Sequence, residues 1–216
     1  MKALVLGGYI ATAEGWAAFS DECEALLNRA GMASFKTSAL GIRLETAAEF
    51  YRIIEAHLSA GLTCIVPVGP LRKVVGELKL SPVFANAYYL GCQAIINLTA
   101  RHQEEMGLTQ PIDFIFDEQA EKQRMRAAWD GYLEGKPAQV RNLEVDESDA
   151  NVLPLQAADL FTWWIRQYWL KHGTISRSEN IGLLWQHEIP WLAAEYDENG
   201  LLKELLHIGR AVAIEA

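Results

Sequence analysis

The sequence predicts an α/β fold, with helices on both faces of a partly parallel sheet. Three observations carry this expectation. Short apolar runs of strand length alternate with segments whose apolar residues recur at helical spacing. Glycines and prolines fall at the joins between these segments, where helices stop or start. No repeat, low-complexity tract or Pro/Gly/Ser-rich linker interrupts the 216 residues, so no domain boundary is drawn within the chain.

Taken in order, Ala3 to Ile10 is strand-like and begins almost without lead-in. Trp16, Phe19, Leu26 and Leu27 define the apolar face of a helix from Ala13 to Arg29, and Gly31 stands where its stop is expected. Phe50, Ile53, Ile54 and Leu58 predict a second helix from Thr46 to Ala60, closed by Gly61. Thr63 to Val68 reads as a short buried strand. Pro82, in a position that proline tolerates, opens a long helix to about His102. After Pro111, Ile112 to Phe116 is a strand with Ile112, Phe114 and Phe116 on one face and Asp113, Ile115 and Asp117 on the other. A charged helix from Gln119 to about Glu134 follows, then a strand from Gln139 to Val145. Pro154 opens a densely apolar helix through Leu170. From Ser176 onward the chain reads as helical, ending in Leu201 to Ala213.

Composition narrows the class of function without naming one. Half the residues are apolar and 22% are charged, which fits a globular domain rather than a disordered chain. The 28 acidic and 19 basic residues give a net charge of −9, unlike a protein that holds nucleic acid by bulk positive charge. Cys23, Cys64 and Cys92 form no CxxC pair and are odd in number, so reduced thiols and a cytoplasmic setting are expected. No apolar run reaches the roughly 18 residues of a membrane span, and the first residues lack the pattern of a signal peptide. The five histidines show no zinc-type spacing, and neither a P-loop, a GxSxG elbow nor a GxGxxG turn is present.

Three acidic groups are candidates for chemistry. Asp117 and Glu118 end the Ile112–Phe116 strand, where two adjacent carboxylates can hold a hard divalent cation; capping of the next helix is the structural alternative for Asp117. Asp159 lies in Leu155-Gln156-Ala157-Ala158-Asp159-Leu160, a helix apolar on nearly every side. It is therefore expected to be partly desolvated and to need a cation, Arg166 or hydrogen-bond donors. Gln156, Thr162 and Trp163 share its helical face. The third group is the acidic run Asp146-Glu147-Ser148-Asp149, a solvated loop by default, in which Ser148 or Asp149 can line a cleft if strand ends converge there. Two short basic stretches, Lys122/Arg124/Arg126 and Arg72/Lys73/Lys79, can touch phosphates, with a solvated helix face as their ordinary role.

These segments appear in an order that resembles a known family. Leu4-Val5-Leu6-Gly7-Gly8-Tyr9-Ile10-Ala11, Trp16-x-x-Phe19-Ser20-Asp21-Glu22, Phe35-Lys36, Ile115-Phe116-Asp117-Glu118 and Leu153-Pro154-Leu155-Gln156-Ala157-Ala158-Asp159-Leu160 together resemble the uncharacterised family called domain of unknown function 3800. Its members look like ribonuclease-H-type folds and are often encoded near mobile elements. The resemblance spans roughly residues 3 to 170, and its last motif is the most specific. It implies an α/β ribonuclease-H-like mixed sheet flanked by helices over residues 1–175, with residues 176–216 as a helical C-terminal extension packed on the same domain.

The family pattern places three acids around a divalent-metal site. Two of them map onto Asp117 and Asp159, which are thereby implied as catalytic metal ligands for Mg²⁺ or Mn²⁺. Glu118, Gln156 and Ser148 are then the candidates for positioning substrate or supporting the ligands. The family's first-strand Asp-Glu-Ser element has no counterpart before Leu4, so the chain is expected to begin at the family's second strand and to expose a sheet edge. Two-metal hydrolysis relies on a carboxylate that bridges ions ~3.5–4 Å apart, which this strand would supply. The expected function is a divalent-metal-dependent nuclease or related phosphoryl-transfer enzyme, with full activity only if that strand is restored. The alternative is a non-catalytic ribonuclease-H-like binding or oligomerisation module. Nucleic acid and a second copy of the chain are the expected partners, and a membrane is not.

Overall fold

The computed structural model describes residues 2–35, 44–117, 140–147, 152–175 and 189–214. Strand β1 (Ala3–Ile10) leads into helix α1 (Ala13–Ala30), and helix α2 (Leu44–His57) returns the chain to strand β2 (Ala60–Pro67). β1 and β2 pair antiparallel along their whole length, from Ala3 opposite Pro67 to Ile10 opposite Ala60. All of β2 is buried, as befits a central strand covered on both faces. Helix α3 (Val68–Glu77), a 3₁₀ turn (Pro82–Ala85) and helix α4 (Ala87–Met106) follow. Strands β3 (Ile112–Asp117) and β4 (Val140–Glu147) form a separate parallel pair. Helix α5 (Leu153–His172) and strand β5 (Trp191–Glu195) precede the last helix, α6 (Glu198–Ile214). β5 runs parallel to β2, so the main sheet has the mixed order β1-β2-β5.

Local chemistry explains the helix ends. The Thr12 side chain accepts from the Gly15 amide at 3.0 Å and caps α1. Gly31 closes α1 at φ 65°, the left-handed conformation that an ordinary side chain resists. Asn86 caps α4 by accepting from the Tyr88 amide. This cap separates α4 from the 3₁₀ turn at Pro82, so the single long helix expected from Pro82 is two elements.

Two further expectations change. Val68–Glu77 is a helix that the sequence reading missed, because Val68-Gly69-Pro70 reads as a turn although proline in a first turn is compatible with a helix. The C-terminal extension is not wholly helical: Trp191–Glu195 joins the main sheet. Leu192, Ala193 and Ala194 favour a helix by propensity, and pairing with β2 overrides that preference. The expected helix from Gln119 to Glu134 lies outside the described residues.

Alternation along the strands divides the core. Leu62, Cys64 and Val66 of β2 pack beneath α3, α4 and α6, with Leu71, Val74, Leu90, Leu201 and Leu205 fully buried there. Ile65 and Val5 face the other way, against Phe161, Ile165 and Trp169 of α5. The outer side of α5 meets α1 and α2 in an aromatic cluster, where the Phe35 and Phe50 rings stack at 4.2 Å and Phe19 packs edge-on to Phe50. Between β1 and α5 the fit is tight: a Cβ on Gly7 would meet Phe161 Cδ1 and Thr162 Oγ1, both at 2.9 Å. Cys23 and Cys64 are buried and Cys92 half-buried, all as free thiols, and burial pushes each thiol up to about 12. Among the described residues no helix is long and apolar enough to cross a membrane.

Candidate functional site

β1 belongs to the main sheet and β3 to the second one, and the two strands face each other across a cleft of about 400 Å³. Val5 to Ala11 of β1 form one wall and Ile112 to Asp117 of β3 the other. The first half of α5 contributes Pro154, Leu155, Ala158, Asp159 and Thr162, while Tyr88, Ile95 and Thr99 of α4 line it too. β1 pairs with β2 on one side only among the described strands, so its opposite edge borders this cleft.

Each acid reaches the cleft for a local reason. The two-residue period of β3 buries Phe114 and sends Asp113, Ile115 and Asp117 to the exposed side. On α5, Leu155, Gln156, Ala157, Leu160 and Phe161 form the buried stripe, and Asp159 stands at its border. Asp159 is exposed, not desolvated as the apolar surroundings in the sequence led us to expect. The reason is geometric: Asp159 lies on the side of α5 that lines the cleft with β1 and β3 rather than on its buried stripe. Arg166, one of the alternatives named for pairing with Asp159, lines a neighbouring pocket.

The remaining sequence candidates are not gathered here. Gln156 is buried, and its Oε1 accepts from the Phe35 amide at 2.6 Å, tying the end of the α1 region to α5. It does not line the cleft. Glu118 and Ser148 lie outside the described residues. The acidic run begins inside β4 rather than in a loop, since that strand continues to Glu147, and the backbone register sets Glu147 opposite Asp117.

Two groups that the sequence reading did not single out for this site also line the cleft. Asp113 was foreshadowed by the alternation of β3, whereas Tyr88 carried no signal. Burial raises the Tyr88 hydroxyl well above its ordinary range, with Cys92 and the charge of Asp117 acting in the same direction. Burial raises the Tyr9 hydroxyl likewise. Both phenols therefore stay neutral at ordinary pH, and the Tyr88 hydroxyl donates to the Cys92 sulfur.

A hard cation suits this donor set. Asp113, Asp117 and Asp159 line the open cleft with carboxylate oxygens, the donor type that a hard cation takes. Among the described residues no three His, Cys, Asp or Glu side chains are grouped closely enough to enclose a metal by themselves. An ion at Asp117 and Asp159 would therefore complete its shell from water or ligand, as Mg²⁺ commonly does. Comparison with protein-family models, with curated proteins and with solved structures finds no match to this chain.

Proposed function

We propose that this protein is a divalent-metal-dependent nuclease or related phosphoryl-transfer enzyme of ribonuclease-H-like architecture. The observation that carries the reading is the arrival of Asp117 and Asp159, from a strand end and a helix far apart in sequence, on one solvent-accessible cleft. Their order and spacing within the motifs around them support it through the family resemblance. In this reading Asp117 and Asp159 hold Mg²⁺ or Mn²⁺. A bound ion would activate a water and offset charge on a transferring phosphoryl group. Asp113 is placed to hold ligand waters. Two carboxylates support one weakly held ion, so cleavage by this chain alone is expected to be slow.

Calorimetric titration with Mn²⁺ tests the reading, using the wild type, Asp117→Asn and Asp159→Asn. Saturable binding weakened by both substitutions, with Mn²⁺-dependent cleavage of an oligonucleotide lost in parallel, is the expected result. No binding at millimolar Mn²⁺ would overturn it. The open edge of β1 favours a second reading, a non-catalytic module that takes up an extended chain as an added strand. Asp159→Ala would then alter stability alone.

A further inference from the structure

A second pocket, of about 720 Å³, adjoins the acidic cleft and has the opposite character. Lys2, just before β1, Arg72 of α3 and Arg166 of α5 all line it, and no acidic residue among the described residues does. In a chain of net charge −9, three cations from separate parts of the chain line one pocket with no carboxylate among its described lining residues. Several cations elsewhere in the structure are paired with carboxylates. Arg29 pairs with Glu49, Arg101 with Glu105, and Lys73, the neighbour of Arg72, with both Glu77 and Glu198. Among the described residues none of Lys2, Arg72 and Arg166 takes part in such a pair.

The backbone adds to the same field. Val68, the first residue of α3, and Asn86 to Tyr88, which open α4, lie on the pocket wall. Neither helix has an acidic residue in its first turn to offset its positive end, although the Val68 amide donates to the Lys2 carbonyl and the Tyr88 amide to Asn86 Oδ1. An anion in this pocket would meet two guanidinium forks, an ammonium and the N-terminal end of a 20-residue helix. Val5 and Tyr88 line both pockets, so the basic site and the acidic cleft share a wall.

We propose that Lys2, Arg72 and Arg166 form a phosphate-binding site that holds the backbone of a nucleic-acid strand beside the acidic cleft. The anion site stands on the cations alone. The course of the strand past Asp117 rests on the nuclease reading above. One phosphate held in the basic pocket would bring its neighbour along the strand toward the carboxylates. Guanidinium groups suit this task because they engage phosphate oxygens two at a time, which a lysine cannot.

The test is fluorescence anisotropy with a short labelled single-stranded oligonucleotide, at low salt and with EDTA, so that binding is read without cleavage. Wild type, Arg72→Ala/Arg166→Ala, Arg72→Lys/Arg166→Lys and Asp117→Asn/Asp159→Asn are compared, each first checked for native folding by near-ultraviolet circular dichroism. The expected result is binding that the double alanine variant weakens about tenfold or more, the loss of two charge-assisted contacts. Its log–log salt slope should be shallower by about 1.4, or ~0.7 per lost contact on a single strand. The double lysine variant should recover part of the salt slope and little of the affinity. Binding by the folded double alanine variant equal to that of the wild type would overturn the proposal. If inorganic phosphate and a nucleoside monophosphate bind through the arginines but the oligonucleotide does not, the strand is overturned in favour of a small phosphate ester. Arginine-dependent binding without any Mn²⁺-dependent cleavage would leave the phosphate site standing and remove the nuclease reading.

Discussion

The two pockets on either side of Val5 and Tyr88 share β1, α4 and α5 and carry opposite charge. The acidic cleft draws Asp113 and Asp117 from β3 and Asp159 from the first half of α5. The basic pocket draws Lys2 from just before β1, Arg72 from α3 and Arg166 from the second half of α5. Helix α5 thus presents an acid to one and a base to the other, two helical turns apart. Net charge, which is −9, describes neither of them. It bears on solubility and long-range steering, while recognition depends on which side chains the fold brings together.

The largest expected effect sets the acidic cleft against the basic one directly. Asp117→Asn combined with Asp159→Asn should reduce Mn²⁺-dependent cleavage by at least about a hundredfold, the scale on which losing even supporting metal contacts is felt. The same variant should bind oligonucleotide in EDTA as well as the wild type does or better. A parallel loss of both would mean that the pockets do not act separately.

Next comes the wall that holds them apart. Gly7→Val would drive a side chain into Phe161 and Thr162, and overpacking of this kind costs about 3 kcal/mol at the upper end of its range. Urea unfolding would read the loss. A smaller effect is expected from Gln156→Leu, which leaves the buried Phe35 amide without the Oε1 it donates to, at about 2 kcal/mol. Mn²⁺ affinity should be unchanged in that variant. A fall in affinity would bring Gln156 into the site.

The smallest effect concerns the junction, where Cys92 bonds to Tyr88. Its thiol has a folded pKa of about 12 against 9 in an ordinary setting, so the folded chain keeps a proton that the unfolded chain releases. That contribution is complete below pH 9 and is lost as pH rises toward 12. Cys92→Ala should make the alkaline fall in stability shallower by about 1 kcal/mol per pH unit, measured by unfolding at a series of pH values.

Periodicity made much of the fold legible. The faces of α1, α2 and β3 followed from the spacing of Phe19 and Leu26, of Phe50 and Ile54, and of Phe114 and Phe116. What escaped was structure fixed by partners remote in sequence. Trp191–Glu195 is a strand because β2 lies beside it, and nothing within those five residues says so. The sequence reading also picked out Asp117 and Asp159, which line one cleft, but it expected Asp159 to be partly desolvated, whereas it is exposed. A local window counts apolar neighbours along the helix and has no knowledge of a gap between two sheets. Gln156 shows the converse, since a polar residue near the motif is spent on the amide of Phe35. The convergence of Lys2, Arg72 and Arg166 joins residues spread over most of the chain and leaves no trace in any short segment.

The buried thiols also make the protein its own timekeeper. Cys23 lies within the packed pair of α1 and α2, and Cys64 on the central strand beneath α4. Only a thiolate attacks an alkylating reagent, and neither sulfur is exposed or readily ionised in the folded chain. Each must wait for its own surroundings to part before it reacts. The ratio of their labelling rates therefore measures how often the helical pair lifts compared with how often the sheet itself comes apart.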